Sequence, residues 1–434
     1  MSNTPEILLN SASLEATQSP WLSEIRQAAA KQAQEAGFPT RHDERWKYTS
    51  LRQTLDVDYQ IATSQEVSEA QIAASRVAGA IELVFVNGHF SDTLSRIPAD
   101  FRRGVTICTM QAAFAGGNAD DVKAVFEQDM PEATDVFTWL NRASFNDGAF
   151  IKLTSGAYSE QAVHILNYSL SDAPAVSHNR NIIVLEDGAA LTVYETSTGG
   201  NGTTQLLNNL VTDVIVAEKA TLNYCRIQTE CVATHNIANM RVQIADSATF
   251  NSWVFSVGGK LARHFMDVEL NGSQAHTSLL GLFVTKDEMH ADNRGIINHN
   301  VPDTTCKQLY KGILNDSSHG VFNGTVRIAR DAQRTDASQM SRNLLLSRKA
   351  RVDAKPELDV LADDVKAAHG AAVGQLSEEE IFYLQTRCIS REEAVKFLIG
   401  AFMNEIIDEA PEAARGILHP LFDNYFQTQE VLTC

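Results

Sequence analysis

Between about Ile182 and Val360 one short phrase recurs: a strand of alternating apolar residues, a small or polar turn, and another strand. The turns fall at Asp187-Gly188-Ala189-Ala190, Glu218-Lys219-Ala220-Thr221, Asp246-Ser247-Ala248-Thr249, Asn271-Gly272-Ser273-Gln274 and Asp316-Ser317-Ser318-His319. The first four begin 31, 28 and 25 residues apart, and the 45 residues from Asn271 to Asp316 leave room for nearly two more units. The strands after the turns are alike: Leu191-Thr192-Val193-Tyr194, Leu222-Asn223-Tyr224-Cys225, Phe250-Asn251-Ser252-Trp253. A strand-and-turn repeat of roughly 20–30 residues predicts a β-solenoid, because one coil cannot bury its apolar face alone and must stack on the next. No helical pattern interrupts the strands, which argues against an ordinary α/β fold. A β-sandwich or jelly roll is the competing all-β arrangement.

The flanks read differently. Ser19-Pro20-Trp21 opens a helix with a Ser cap and Pro at its first position, with Trp21, Ile25 and Ala28/Ala29 on one face and Gly37 and Pro39 at its end. Arg41 to Thr49, rich in charge and aromatics, reads as a linker whose Trp46 and Tyr48 dock on a neighbouring domain. Ile81–Val86 is β-rich and runs into Asn87-Gly88, a tight-turn signal. Val122 to Leu140 reads as helical, and the strand rhythm begins at Asp147. After the repeats, Ser377-Glu378-Glu379-Glu380 and Ser390-Arg391-Glu392-Glu393 are capping boxes. The second leads a helix with Ala394, Phe397, Leu398, Ala401, Phe402 and Ile406 as its apolar stripe, and Glu412 to Tyr425 follows Pro411 as a further helix. This helical region could cap the open end of the stack, which would otherwise expose unpaired edges.

At 434 residues, two or three domains are expected. No apolar run approaches the roughly 18 residues of a membrane span. Met1-Ser2-Asn3-Thr4-Pro5-Glu6 lacks the basic start and apolar stretch of a secretion signal, so a cytoplasmic location is expected. Cys108, Cys225, Cys231, Cys306, Cys388 and Cys434 show no pairing logic and no CxxC, so a disulfide framework is not expected. Net charge is −18, and Arg351 to Cys434 hold 16 acidic against 7 basic side chains. Such acidity disfavours nucleic acid and anionic membrane as partners and favours a basic protein.

Motifs of known chemistry are missing. Gly259-Lys260 has Val254 and Leu261 where a P-loop needs Gly and Ser or Thr, and no GxGxxG after a strand, HExxH or GxSxG occurs. His235, His264, His276, His290, His299 and His319 fall within 85 residues. Stacking could gather some of them as metal ligands, but their spacing fits no ligand motif, and ladder histidines on adjacent coils are the plainer reading. Cys225 and Cys231 read as core or surface thiols. Some β-helix proteins are carbohydrate lyases, and a stand-alone enzyme of that kind would use Asp292 and Arg294 with bound Ca²⁺.

A run of ordered motifs carries a resemblance. Gln308-Leu309-Tyr310-Lys311-Gly312, Val321-Phe322-Asn323-Gly324, Asp331-Ala332-Gln333-Arg334-Thr335-Asp336-Ala337, Asn343-Leu344-Leu345-Leu346-Ser347, Lys355-Pro356-Glu357-Leu358, Ala362-Asp363-Asp364-Val365-Lys366 and His369-Gly370-Ala371-Ala372-Val373-Gly374 follow one another in this order. With Glu44-Arg45-Trp46-Lys47-Tyr48-Thr49 they resemble the SufB/SufD family of iron–sulfur cluster assembly scaffolds, and the His369 run is similar to the SufD branch. The resemblance implies a right-handed parallel β-helix core over 146–362, between an N-terminal mixed or helical region over 1–145 and a C-terminal helical ATPase-docking domain over 363–434. It implies no catalytic activity and no cofactor held by the chain alone. It implies pairing with a SufB-like subunit through the β-helix and docking of a SufC-like ABC ATPase on the helices from Ser377 to Glu409. Without the SufB-like subunit, the same β-helix edge could pair with its own copy in an isologous contact, so a homodimer is expected in isolation. A transient iron–sulfur cluster would form at the SufB-like interface, with His369 as a metal ligand. The family commonly has Cys-Ser-His-Gly where this chain has Ala367-Ala368-His369-Gly370, so ligation from this side would rest on His369 alone.

Overall fold

The computed structural model describes residues 8–9, 20–99, 101–128, 134–200 and 202–427. Ser19, the Met1–Glu6 stretch and Cys434 lie outside them. The N-terminal part contains α1 (Pro20–Ala36), β1 (Gln60–Ile61), β2 (Ile81–Val86), β3 (His89–Phe90), β4 (Val105–Thr109), α2 (Met110–Ala115), α3 (Ala119–Phe126) and α4 (Val136–Ser144). The helical stretch expected over Val122–Leu140 thus comprises parts of two helices, α3 and α4. Gly37 ends α1 in the left-handed conformation, its N–H returning to the Ala33 carbonyl at 3.1 Å. Asn87 and Gly88 both have positive φ, and they turn β2 into its antiparallel neighbour β3.

Sixteen further strands follow: β5 (Ala149–Leu153), β6 (Val163–Ser169), β7 (Ala175–Leu185), β8 (Ala190–Gly199), β9 (Leu206–Val216), β10 (Thr221–Gln228), β11 (Thr234–Ile244) and β12 (Thr249–Ser256). Then come β13 (Leu261–Leu270), β14 (His276–Thr285), β15 (His290–His299), β16 (Thr305–Leu314), β17 (His319–Ile328), β18 (Asp336–Leu345), β19 (Arg351–Val360) and β20 (Lys366–Gly374). Odd-numbered strands from β5 to β19 stack in parallel into one sheet, and even-numbered strands from β6 to β20 into the other. Each coil crosses both sheets, so the chain is a two-sheeted parallel β-solenoid of about eight turns, and the sandwich alternative falls.

The corner between each odd strand and the next even strand explains the repeat. Gly188, Lys219, Ser247, Gln274, Asp303 and Arg334 hold positive φ there. In five of these corners the N–H reaches a carbonyl one coil on: Gly188 to Glu218 (2.7 Å), Lys219 to Asp246 (2.9 Å), Ser247 to Ser273 (2.8 Å), Asp303 to Gln333 (2.9 Å) and Arg334 to Asp364 (2.6 Å). The residue after each points into the core and is small: Ala189, Ala220, Ala248, Ala275, Thr304 and Thr335 are all buried. At Gly272 a Cβ would stand 1.9 Å from the Asp246 nitrogen, so that coil seats on its predecessor only with glycine. Thr221 aligns with Ala190 behind it and Thr249 ahead. The Asp316 turn lies instead at the opposite corner, between β16 and β17, where Asp316 has φ +52°. The 45-residue interval is therefore one coil and about half of the next, with the matching corner at Asp303.

Between the sheets, half of the lumen is apolar, with Ile183, Leu185, Leu191, Val193, Val214 and Val242 in one cluster. The other half is polar. Glu195 is ion-paired with Arg226, accepts the Tyr224 hydroxyl at 2.6 Å and takes the Asn181 amide at 3.2 Å. Such a pair is viable in the interior only because its remaining lone pairs and protons find partners.

Both outer faces are covered. The N-terminal part packs on the odd-strand sheet: Trp46, Phe137 and Leu140 meet Val176, Leu207, Ile237 and Leu261. The C-terminal helices α5 (Glu378–Gln385), α6 (Arg391–Ile407) and α7 (Glu412–Gln427) pack on the even-strand sheet, over Cys225, Ile227, Phe255, Leu280, Leu282 and Leu309. They lie on the flank and do not cap the stack, because the apolar side chains that need covering project sideways from the even strands. The expected stripe is buried only in part. Its members Ala394 and Ile406 face inward, and Leu398 and Phe402 are half-buried there, but the rest of the inward face is Val395, Ile399, Met403 and Ile407, while Phe397 is 64 % exposed. Each fully buried aliphatic there contributes about 1.5–3 kcal/mol, against at most about 1 kcal/mol for an exposed pair such as Lys307–Glu409. Burial therefore holds the helices in place. Lys311 adds a fastening, its Nζ buried, bonded to the Phe402 carbonyl at 2.7 Å and paired with Glu405. Among the described residues, no helix is long and apolar enough to cross a membrane.

Candidate functional site

The two ends of the solenoid are unequal. At the start the sheets end in β3 and β4, short strands that run antiparallel to β2 and β5. At the far end β19 and β20 each have a neighbour on one side only. Unpaired strand edges are templates for another chain. Apolar side chains gather there: Val360 is 38 %, Leu361 60 % and Val373 51 % exposed. Pro356 sits in β19, and proline is tolerated within a strand only at an edge or bulge.

His369 belongs to this end. The ladder continues through Lys366–Gly374, so His369 is a strand residue of the last coil and not part of a loop before α5. It aligns with Gln339, which aligns with Gln308, and the Gln339 amide bonds the Gln308 carbonyl oxygen at 2.6 Å. His369 is exposed at the end of this column and has no hydrogen-bond partner among the described residues. Ala367 continues the column of Cys306 and Ala337. Strand side chains alternate with period two, so 367 and 369 share a face. A thiol at 367 would neighbour the imidazole.

The second exposed feature lies between α5 and α6. Phe382 (67 %), Tyr383 (57 %) and Phe397 (64 %) are uncovered. A groove of about 310 Å³ runs between Tyr383, Leu384, Phe397 and Leu398, with Glu379 and Glu380 at its rim. Arg391 grips Glu378 with two bonds of 2.7 Å and ties the two helix starts together. Ser390 and Glu393 form the full capping box, whereas at Ser377 only the bond from the Glu380 N–H is made. The sequence signal for this patch was Phe397 itself, which falls off the Val395-Ile399-Met403 row.

The remaining candidates sort by geometry. Asp292 and Arg294 do not form an open catalytic pair. Asp292 is fully buried, ion-paired with Arg263 and Arg294, and accepts the Thr49 hydroxyl at 2.5 Å. Burial opposes its charge, but the two guanidiniums outweigh that and hold the carboxyl below its usual range. Arg263 in turn lies 3.8 Å under the Trp46 ring, and Lys355 reaches Glu44 at 2.6 Å. The pair is thus the seat of the Arg41–Thr49 segment, which docks on the solenoid through Trp46, and substrate has no path to it.

The six histidines separate. His290 and His319 are ladder neighbours with rings 4.5 Å apart, and His235 stands two coils before His290 in the same column. His264 is in the lumen. His299 bonds Thr304 and Cys306 at 2.7 and 3.2 Å, and His276 bonds Thr305 at 2.7 Å. No group of three or more His, Cys, Asp or Glu among the described residues could hold a metal ion. Cys225 is buried under the C-terminal helices, and Cys231 lies at a corner with Sγ 3.2 Å from the Thr234 hydroxyl.

A two-sheeted parallel solenoid with short antiparallel strands at one end, long parallel edges at the other and helices fastened to a flank is the class of fold the chain defines. Comparison with known proteins agrees with that class. Residues 168–402 match the SufBD core domain of SUF-system FeS cluster assembly proteins, and residues 8–165 match the SufBD protein N-terminal region. The iron-sulfur cluster assembly protein SufD of Escherichia coli is 30 % identical over 86 % of this chain and 85 % of its own length. A SufBD family protein of Synechocystis sp. is 29 % identical over 94 % of this chain and 92 % of its own. SufB of Bacillus subtilis is 24 % identical over 68 % of this chain and 63 % of its own. The chain belongs to the SufBD family of the SUF iron–sulfur cluster assembly system.

Proposed function

We propose that this chain is a non-catalytic scaffold subunit of a SUF complex, pairing with a SufB-like subunit through its last coil. The observation that carries this reading is the unequal pair of ends. One ends in the short antiparallel strands β3 and β4, and the other presents two long parallel edges, β19 and β20, with exposed Val360, Leu361 and Val373. A partner solenoid would satisfy both edges at once. Without one, the same edges would pair with a second copy of the chain.

The C-terminal helices carry a SufC-like ABC ATPase in this account. The apolar groove at Tyr383 and Phe397, rimmed by Glu379 and Glu380, supports that role, since it offers an aromatic anchor inside an acidic border. ATP-driven movement of that subunit would reach the solenoid through the Lys311–Glu405 fastening. The nascent iron–sulfur cluster is cargo at the paired ends, with His369 as the single ligand from this side and thiolates from the partner. Co-expressed with SufB-like and SufC-like chains, the protein should co-purify as one complex. His369→Ala should leave that complex intact and lower its iron and sulfide together. Failure of the complex to form overturns the scaffold reading, and unchanged iron and sulfide remove His369 as a ligand.

A further inference from the structure

A cavity of about 350 Å³ lies where the Arg41–Thr54 segment crosses the corners around Lys260, Glu288 and Ser317. It is on the flank of the solenoid, and of its lining residues Arg351 alone belongs to the last coil, as the first residue of β19. Four cationic side chains line it in a chain of net charge −18. Lys260 is paired with Glu288 at 2.8 Å, and Arg52 with Asp56 at 3.5 Å. The Arg41 and Arg351 guanidiniums meet no carboxylate among the described residues, and that of Arg351 donates to His319 Nδ1 at 3.3 Å.

Two buried polar atoms in the lining are also unpaired. Thr54 is 0 % and His235 3 % exposed, and neither Thr54 Oγ1 nor His235 Nδ1 has a hydrogen-bond partner. A folded chain rarely leaves such atoms unsatisfied, because burial without a partner costs free energy. Burial lowers His235 to about 4 and His290 to about 3, so the imidazoles are neutral and offer hydrogen bonds, while the positive charge comes from the guanidiniums. The cavity has the volume of a small-ligand site.

We propose that this cavity binds a small phosphate-bearing molecule, its phosphate held by Arg41 and Arg351 and hydrogen-bonded to Thr54 and His235. Two uncompensated guanidiniums match a dianion, and phosphate oxygens supply acceptors for the forked N–H donors and the Thr54 hydroxyl together. A carboxylate would balance only one of the two charges. The bound molecule would also brace the segment that Trp46 and Thr49 dock on the coils.

The test is calorimetric titration of the full chain with inorganic phosphate, pyrophosphate and acetate at constant ionic strength. Phosphate or pyrophosphate should bind saturably and acetate should not. Replacing both Arg41 and Arg351 by Ala should weaken binding at least about tenfold, given the strength of charge-assisted bonds. Thr54→Val leaves the charge unchanged and should still weaken binding, with ligand-free melting unaltered. Absence of saturable binding, acetate binding as tightly as phosphate, or affinity unchanged in both variants overturns the proposal.

Discussion

Asp292 shows how one carboxylate decides where a whole segment sits. It is buried between Arg263 and Arg294 and takes the Thr49 hydroxyl, while Arg263 supports the Trp46 ring. Asp292→Asn would leave two buried guanidiniums without their counter-ion, and breaking such a pair costs about 3–5 kcal/mol. Urea unfolding should register that loss, and hydrogen exchange should rise first over residues 41–54. The pH dependence has a definite sign. A carboxyl whose folded pKa is depressed stabilises the fold above its unfolded value and loses that contribution as pH falls through the folded one. The segment should therefore stay docked down to about pH 4, the ordinary aspartate value, and loosen only below it. Release at pH 6 would contradict this.

At the scale of elements, the corners and the helices differ in how much the sequence disclosed. The corners were legible because a Gly or polar residue in left-handed backbone is followed at each by a small buried Ala or Thr, as at Gly188-Ala189, Ser247-Ala248 and Asp303-Thr304. Asp316 was assigned to the wrong corner because both corners use the same kind of turn. The polar half of the lumen was illegible, since Glu195 and Arg226 occupy inward positions that alternation assigns to apolar residues. Phe397 was misplaced because α6 has apolar residues on two faces, and spacing alone cannot say which one meets a sheet. Asp292 and Arg294 looked available because nothing in their neighbourhood in the chain announces the Trp46 segment that covers them. The exposed aromatic face makes its own prediction. Phe382→Ser with Phe397→Ser should leave chain stability nearly unchanged, since neither side chain is buried. Pull-down of the SufC-like ATPase should fall sharply, with the SufB-like subunit retained. Undiminished ATPase capture would move its docking site elsewhere.

At the scale of the molecule, both flanks are covered and one end tapers into the short strands β3 and β4, whereas β19 and β20 end the two main sheets at full length. The chain belongs to the SufBD family, and the proposal made above is that a partner solenoid completes these two edges. The most direct test places a charge on that edge. With Val373→Lys, and separately Leu361→Lys, co-purification of the SufB-like and SufC-like subunits should be measured by their amounts relative to this chain. The account predicts that the SufB-like subunit is lost while the ATPase is retained, because a lysine on an exposed edge blocks strand addition without disturbing the flank. A full complement of the SufB-like subunit with both variants would contradict it.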